Sequence, residues 1–222
     1  DHAALNAAHA SGHPILPLFI LDDETPGEWI PGGASRWWLH HSLQALKSAL
    51  QERGGDLILR RGKTIDEIAR LIKETGAAGV YCSRQYEPFE RNLEAQLALK
   101  LASQGAFFNR YPGYLLFDPY QIKSKADTPF SIFTPFYRAC LKAEPPAKPT
   151  PAPNGLIFSS ATSEQMHDWC LLPKSPNWAS GFSNCWQPGE KGAKKRLTEF
   201  LAHSVSNYAD HRDLPGVMGT SR

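Results

Sequence analysis

From residue 14 onward, short apolar runs alternate with stretches whose apolar residues recur every three to four positions. Short, near-continuous apolar runs suit strands covered on both faces, and the longer period suits helices laid against them. The alternation therefore predicts βα units on a parallel sheet. Ile15 to Leu21 (ILPLFIL) reads as a first strand, with Pro17 better tolerated at an outer position than a central one. Asp56 to Arg60, Gly79 to Ser83 and Ala106 to Tyr111 read as the second, third and fourth strands. Between them, Ser35 is placed to cap a helix carrying Leu39, Leu43, Leu46 and Leu50 and ended by Gly54 and Gly55. Thr64 and Glu67 form a capping box ahead of Ile65, Ile68, Ala69 and Ile72, and Gly76 closes that helix. Pro88 suits the first turn of a helix with Leu93, Leu97 and Leu101. Short connections imply right-handed crossovers, so the expected class is α/β with a doubly wound, Rossmann-like parallel sheet. Ligands of such sheets sit beyond the carboxyl ends of the strands.

The chain has 222 residues, enough for this sheet and a further segment. At 41% hydrophobic and 21% charged it is globular in composition, which argues against a wholly disordered or collagen-like protein. A formal charge of +2 neither demands nor forbids a polyanionic partner. Cys82, Cys140, Cys170 and Cys185 form no C-x-x-C pair, so neither a zinc knuckle nor a redox dithiol is written here. No apolar run approaches the roughly 20 residues of a membrane helix. The expectation is a soluble, monomeric, cytoplasmic protein. Character changes after residue 143: Glu144 to Pro153 holds five prolines in ten residues, a semi-rigid spacer. Residues 154 to 189 place Trp169, Trp178 and Trp186 among Pro, Gly, Ser and Asn without a period, an irregular segment held by aromatic anchors. A helix resumes at Glu190, and residues 191 to 222 carry six basic side chains against three acidic.

The generic fingerprints of dinucleotide, P-loop, zincin and serine-hydrolase sites (G-x-G-x-x-G, G-x-x-x-x-G-K-[ST], H-E-x-x-H, G-x-S-x-G) do not occur. His40 and His41 lack metal-ligand spacing with carboxylates, so no metal site is expected. Five strings stand out instead: Asp1-His2-Ala3-Ala4-Leu5, Ser35-Arg36-Trp37-Trp38, Tyr86-Glu87-Pro88-Phe89-Glu90-Arg91, Phe133-Thr134-Pro135-Phe136, and Tyr208 followed by Arg212, Asp213, Pro215 and Gly219 to Arg222. In this order the chain resembles the DNA photolyase/cryptochrome family, most closely the class I cyclobutane-pyrimidine-dimer photolyases of bacteria.

The resemblance implies a photolyase or cryptochrome α/β antenna domain over residues 1–143, an interdomain linker over 144–189, and the start of an all-helical FAD-binding domain over 190–222. It implies a piece truncated at both ends, with a central first strand ahead of Asp1 and most of the helical domain beyond Arg222. Such a piece, left alone, is expected to be unstable. Tyr208 and the Thr220-Ser221-Arg222 turn match FAD contacts, although a capped turn explains Thr220 and Ser221 equally well. Arg212 matches a contact to the DNA backbone, and a salt bridge to Asp210 or Asp213 is its alternative. Glu90 matches a carboxylate that holds a reduced-folate antenna, with Phe89 standing where that pattern has Asn. Arg36 and Glu87 could face a deazaflavin antenna or form helix-end ion pairs. The implied activity is that of a deoxyribodipyrimidine photo-lyase, a carbon–carbon lyase repairing ultraviolet-damaged DNA by light-driven electron transfer from reduced FAD. This stretch holds none of the catalytic residues. The alternative is a cryptochrome-type blue-light photoreceptor without repair.

Overall fold

The computed structural model of the chain describes residues 2–217. Two compact units divide it: one holds the residues up to Leu16, Ile20–Gly27 and Arg61–Ala161, the other Pro17–Phe19, Glu28–Arg60 and the residues from Thr162 on.

The strands come in two pairs. β1 (Leu18–Leu21) and β2 (Ile58–Arg61) form one two-stranded sheet, connected through α2 (Gly33–Gln51). Ile58 N donates to Pro17 O at 2.8 Å and Gly62 N to Leu21 O at 3.1 Å, an equal advance on both strands that makes the pair parallel. After α3 (Thr64–Thr75), β3 (Gly79–Ser83) pairs in parallel with β4 (Phe107–Tyr111) across α4 (Pro88–Ala102), Gly79 opposite Phe107 and Ser83 opposite Tyr111. Each parallel pair thus has the helical crossover that parallel pairing requires. Among the described residues, β1 and β3 are each hydrogen-bonded on one side only. The first strand is shorter than the apolar run. Pro17 has no N–H to give, and Ile15 pairs elsewhere, its N–H donating to Ile157 O at 2.8 Å and its carbonyl accepting Ser159 N at 2.9 Å.

In the first unit, α1 (Ala3–Ala10) packs against β3 and β4 with Ala4 and Ala8 buried. Leu97 and Leu101 of α4 face inward, Leu101 completely so, beside Ile68, Leu71 and Ile72 of α3. Pro88 opens α4 and Gly76, at φ +67, caps α3, both as read from the sequence. The start of α3 differs from its expected capping box. Thr64 is the first helical residue, and the acceptor for its N–H and its hydroxyl is the Asp22 carboxylate, at 2.8 Å in each case. Asp22 also accepts Glu24 N, Thr25 N and the Thr25 hydroxyl. Glu67, freed from capping, is buried and paired with Arg70. The chain then runs to α5 (Phe133–Lys142). Along the proline-rich run that follows, the Asn6 amide donates to the Thr150 hydroxyl at 2.8 Å.

In the second unit, α2 starts at Gly33 with Gly32 as its extended N-cap, three residues ahead of the expected cap Ser35. Its buried face is built on Trp37, Leu43 and Leu50, while Leu46, at the edge of that arc, is 48% exposed. Residues 163 to 169 run beside β2: Ser163 Oγ accepts Leu59 N, Glu164 N donates to Leu59 O, and Trp169 Nε1 donates to Glu164 Oε2 at 2.7 Å. Trp169, buried beside Phe19, anchors the irregular segment, whereas Trp178 is 47% exposed and its edge-on contact with Phe182 lies inside that segment. The unit continues through α6 (Phe182–Cys185), α7 (Glu190–His203) and α8 (Tyr208–His211).

Candidate functional site

Parallel pairing of β3 and β4 brings the carboxyl ends of both strands to one place. Arg84 N donates to Tyr111 O at 2.8 Å, continuing the ladder one step past β3. Arg84 and Arg110 both emerge there, next to the first turns of α4. A cavity of about 750 Å³ opens at this end, lined by Arg84, Arg110, Arg91, Gln85, Asn92 and Tyr120 together with Pro88, Glu94 and Ala95. Its size lies within the range of small-molecule sites.

Two buried carboxylates hold the lining. Glu94 accepts Gln85 N at 2.7 Å through Oε1 and Arg110 Nη1 at 2.9 Å through Oε2. Asp118 accepts Arg84 Nη1 through Oδ2 and Tyr120 N at 3.0 Å through Oδ1. The Arg84 guanidinium also lies over the Tyr120 ring, 5.4 Å from its centroid. Each of these arginines spends one terminal nitrogen on its carboxylate and keeps further donors. The Arg91 guanidinium has no partner among the described residues. Three guanidinium groups thus line the crevice, two of them held by carboxylates and the third, Arg91, open to an anionic group, with the Glu90 carboxyl on its border beside Gln85.

Burial also tunes the neighbouring groups. It raises the Glu90 carboxyl above the ordinary range, with the nearby Glu87 and Glu94 charges adding to the effect. Burial raises the Tyr86 phenol too, helped by the charge of Asp118, and its hydroxyl is buried without a hydrogen-bond partner. The Cys82 thiol is pushed up to about 11, by burial first and then by Glu94.

The residues expected from sequence fall into three groups. Glu87, Phe89 and Glu90 lie at the start of α4, where Glu87 is the N-cap residue. With its amide nitrogen turned toward Glu90, Gln85 donates to both carboxylate oxygens at 3.2 and 3.3 Å. Arg36 belongs to the second unit, where its Nε donates to Pro31 O at 3.0 Å. Tyr208 opens α8 with its ring edge-on to Phe200 at 5.6 Å, and Arg212 Nε lies 3.6 Å from Asp213 Oδ2 in an exposed pair. Thr220, Ser221 and Arg222 lie outside the described residues. Sequence reading missed Arg84, Arg91, Asn92, Arg110 and Tyr120. The available signals were the position of Arg84 and Arg110 at the carboxyl ends of two expected strands and that of Arg91 at the end of the string that begins at Tyr86. Among the described residues, no three His, Cys, Asp or Glu side chains are grouped to hold a metal, and no helix is long and apolar enough to cross a membrane.

A family model described as DNA photolyase matches residues 1–154. A deoxyribodipyrimidine photo-lyase of Agrobacterium fabrum is 37% identical over 223 residues, covering 100% of this chain and 46% of the relative. Cryptochrome-2 of Arabidopsis thaliana is 32% identical over 218 residues, covering 94% of this chain and 35% of the relative. The crystal structure of a bacterial class III photolyase from Agrobacterium tumefaciens superposes with a TM-score of 0.90 at 36% identity, covering 99% of this chain and 45% of that one. The chain thus spans less than half the length of each of these three proteins.

Proposed function

The chain belongs to the DNA photolyase family, and from that premise we propose that the protein it serves repairs cyclobutane pyrimidine dimers in ultraviolet-damaged DNA, with these residues forming the light-harvesting part. The observation that carries the antenna assignment is the arginine-lined crevice at the carboxyl ends of β3 and β4, where open α/β sheets take their ligands. In this reading residues 1–143 are the antenna domain, 144–189 the linker and 190–222 the start of the flavin-binding domain.

The crevice fits a planar chromophore with an acidic tail. Tyr120 offers the ring face not covered by Arg84, Arg91 a guanidinium with no partner among the described residues, and Gln85 places beside Glu90 the amide that Phe89 lacks. A reduced folate and a deazaflavin both meet this description, and the absorption spectrum of the bound species tells them apart. Tyr208 is assigned to FAD together with Thr220, Ser221 and Arg222, and Arg212 to a DNA phosphate that displaces its exposed partner Asp213. When bound, reduced flavin supplies the photoexcited electron that splits the dimer. The residues of this chain orient the chromophores and exclude water around them.

Illumination of the full-length protein with ultraviolet-treated oligothymidylate tests the proposal, and loss of dimers only in the light is the expected result. Intact dimers in a flavin-loaded, photoreducible protein would overturn it. They would favour the cryptochrome reading, which the 32% identity to Cryptochrome-2 already supports as the alternative.

A further inference from the structure

A second cavity, of about 470 Å³, lies wholly within the second unit, between Trp38 of α2, the α6 segment and the first turns of α7. Two indoles form its apolar wall. Trp38 and Trp186 meet edge to face with ring centroids 6.0 Å apart and planes inclined at 73°, and both remain 43% exposed. Such a corner takes a flat ring stacked on one indole and edge-on to the other. Facing it are Lys195 and Arg196 on consecutive positions of α7, with the Glu199 carboxylate one turn further on in the same lining. Arg196 Nη1 makes a 3.3 Å exposed pair with Glu199, whereas the Lys195 ammonium has no partner among the described residues. The side chains of Asn184 and Gln187, two carboxamides in the same lining, are likewise without partners there.

The backbone is fitted closely around this cavity. Gly192 is buried, and a Cβ there would lie 1.9 Å from Gln187 O, so only glycine lets α7 approach the turn that presents Trp186 and Gln187. The wall carrying the indole and the wall carrying the cations are thus held together by main-chain contact.

We propose that this cavity binds a nucleotide: the base stacks against Trp38 or Trp186, its polar edge meets the amides of Asn184 and Gln187, and a phosphate is neutralised by Lys195 and Arg196. An aromatic platform beside a cationic rim, with unpaired amides between, is the arrangement by which proteins hold a base and its phosphate together. The ligand can be a free mononucleotide or a nucleotide within a single strand, since both present the same chemistry. The inference does not rest on the light-driven activity and concerns a different unit from the arginine crevice.

The test is calorimetric titration of the full-length protein, with tryptophan fluorescence in parallel, using adenosine 5′-monophosphate, adenosine, inorganic phosphate and a short oligodeoxyadenylate as probes. Sub-millimolar binding of the monophosphate with quenching, weaker binding of adenosine and weaker still of phosphate, is expected. Tighter binding per nucleotide by the oligonucleotide identifies the strand as the source, and equal or weaker binding identifies the free nucleotide. Trp186→Leu should weaken the monophosphate by about 5-fold or more. Lys195→Gln, an exposed change that leaves the fold alone, should weaken the monophosphate and leave adenosine unchanged. Absence of heat and quenching with the monophosphate at millimolar concentration, or an affinity unaltered by Lys195→Gln, would overturn the proposal, even if Trp186→Leu failed to fold.

Discussion

Replacing Asp22 by Asn removes one negative charge with almost no change of shape, at the point where the turn after β1 meets the start of α3. Five donors converge on this carboxylate: Glu24 N at 3.0 Å and Thr25 N at 2.8 Å on Oδ1, and the Thr25 hydroxyl, Thr64 N and the Thr64 hydroxyl on Oδ2. Burial alone would raise the carboxyl pKa, but the Thr25 and Thr64 donors outweigh it and bring the value down from 3.8 to about 2. A depression of that size corresponds to at most about 2.4 kcal/mol of folding stability, reduced by solvent screening to about 1.5–2 kcal/mol. The folded pKa lies below the unfolded one. The contribution is therefore complete above about pH 5, roughly half present at pH 3, and lost as the pH falls through 2. In Asp22→Asn one oxygen becomes an NH₂ group that faces other donors, so the expected cost at pH 7 is about 2–3 kcal/mol. Urea titrations followed by far-ultraviolet circular dichroism at pH 7, 5 and 3 measure it. The gap between the two proteins should be equal at pH 7 and 5 and narrower by about 1 kcal/mol at pH 3. A gap below about 0.5 kcal/mol at pH 7, or one that stays the same at pH 3, refutes the reasoning.

Leu101→Ala empties the most deeply buried site of α4 and should cost about 2–5 kcal/mol in the same titration; a loss under about 1 kcal/mol would mean that the first unit collapses around the gap. Glu94→Gln removes the charge that holds Arg110 and should destabilise by about 1–3 kcal/mol. Combined with Arg110→Gln it should cost less than the sum of the two single changes, a non-additivity read from thermal melts. Cys82, with its thiol near 11, should be alkylated by iodoacetamide at pH 8 about 10-fold more slowly than a thiol of ordinary pKa, the smaller thiolate fraction being partly offset by its greater nucleophilicity. Peptide mass spectrometry should find the exposed Cys170 and Cys185 modified first.

Elements set by neighbouring residues were legible in the sequence. Pro88 and Gly76 mark their helix ends because ring closure and positive φ act on the local backbone, whatever the rest of the chain does. Where a distant group competes, local reading failed. Thr64 and Glu67 have the spacing of a capping box, yet a carboxylate 42 residues earlier in the chain supplies a stronger, charged acceptor. Ser35 does not cap α2, because the helix begins before it, at Gly33, with Gly32 as an N-cap that makes no side-chain hydrogen bond. The candidate site shows the same division. Glu87, Phe89 and Glu90 were found because they share one string with Pro88. Arg84 and Arg110 become neighbours only through strand pairing, with Cys82 opposite Arg110 and Ser83 opposite Tyr111, and no local pattern encodes that register.

The proline-rich run is fastened within its length by Asn6 to Thr150, and the chain just beyond it by Ile15 to residues 157 and 159. Its slack is consequently that of a closed loop sewn back to the beginning of the chain. Whatever follows residue 159 takes its anchorage from Ile15 and not from the end of α5. Adding or deleting residues between Glu144 and Pro149 changes only the size of that loop, at about 0.6 kcal/mol for each doubling in length, and leaves the point of departure of the downstream chain where it was.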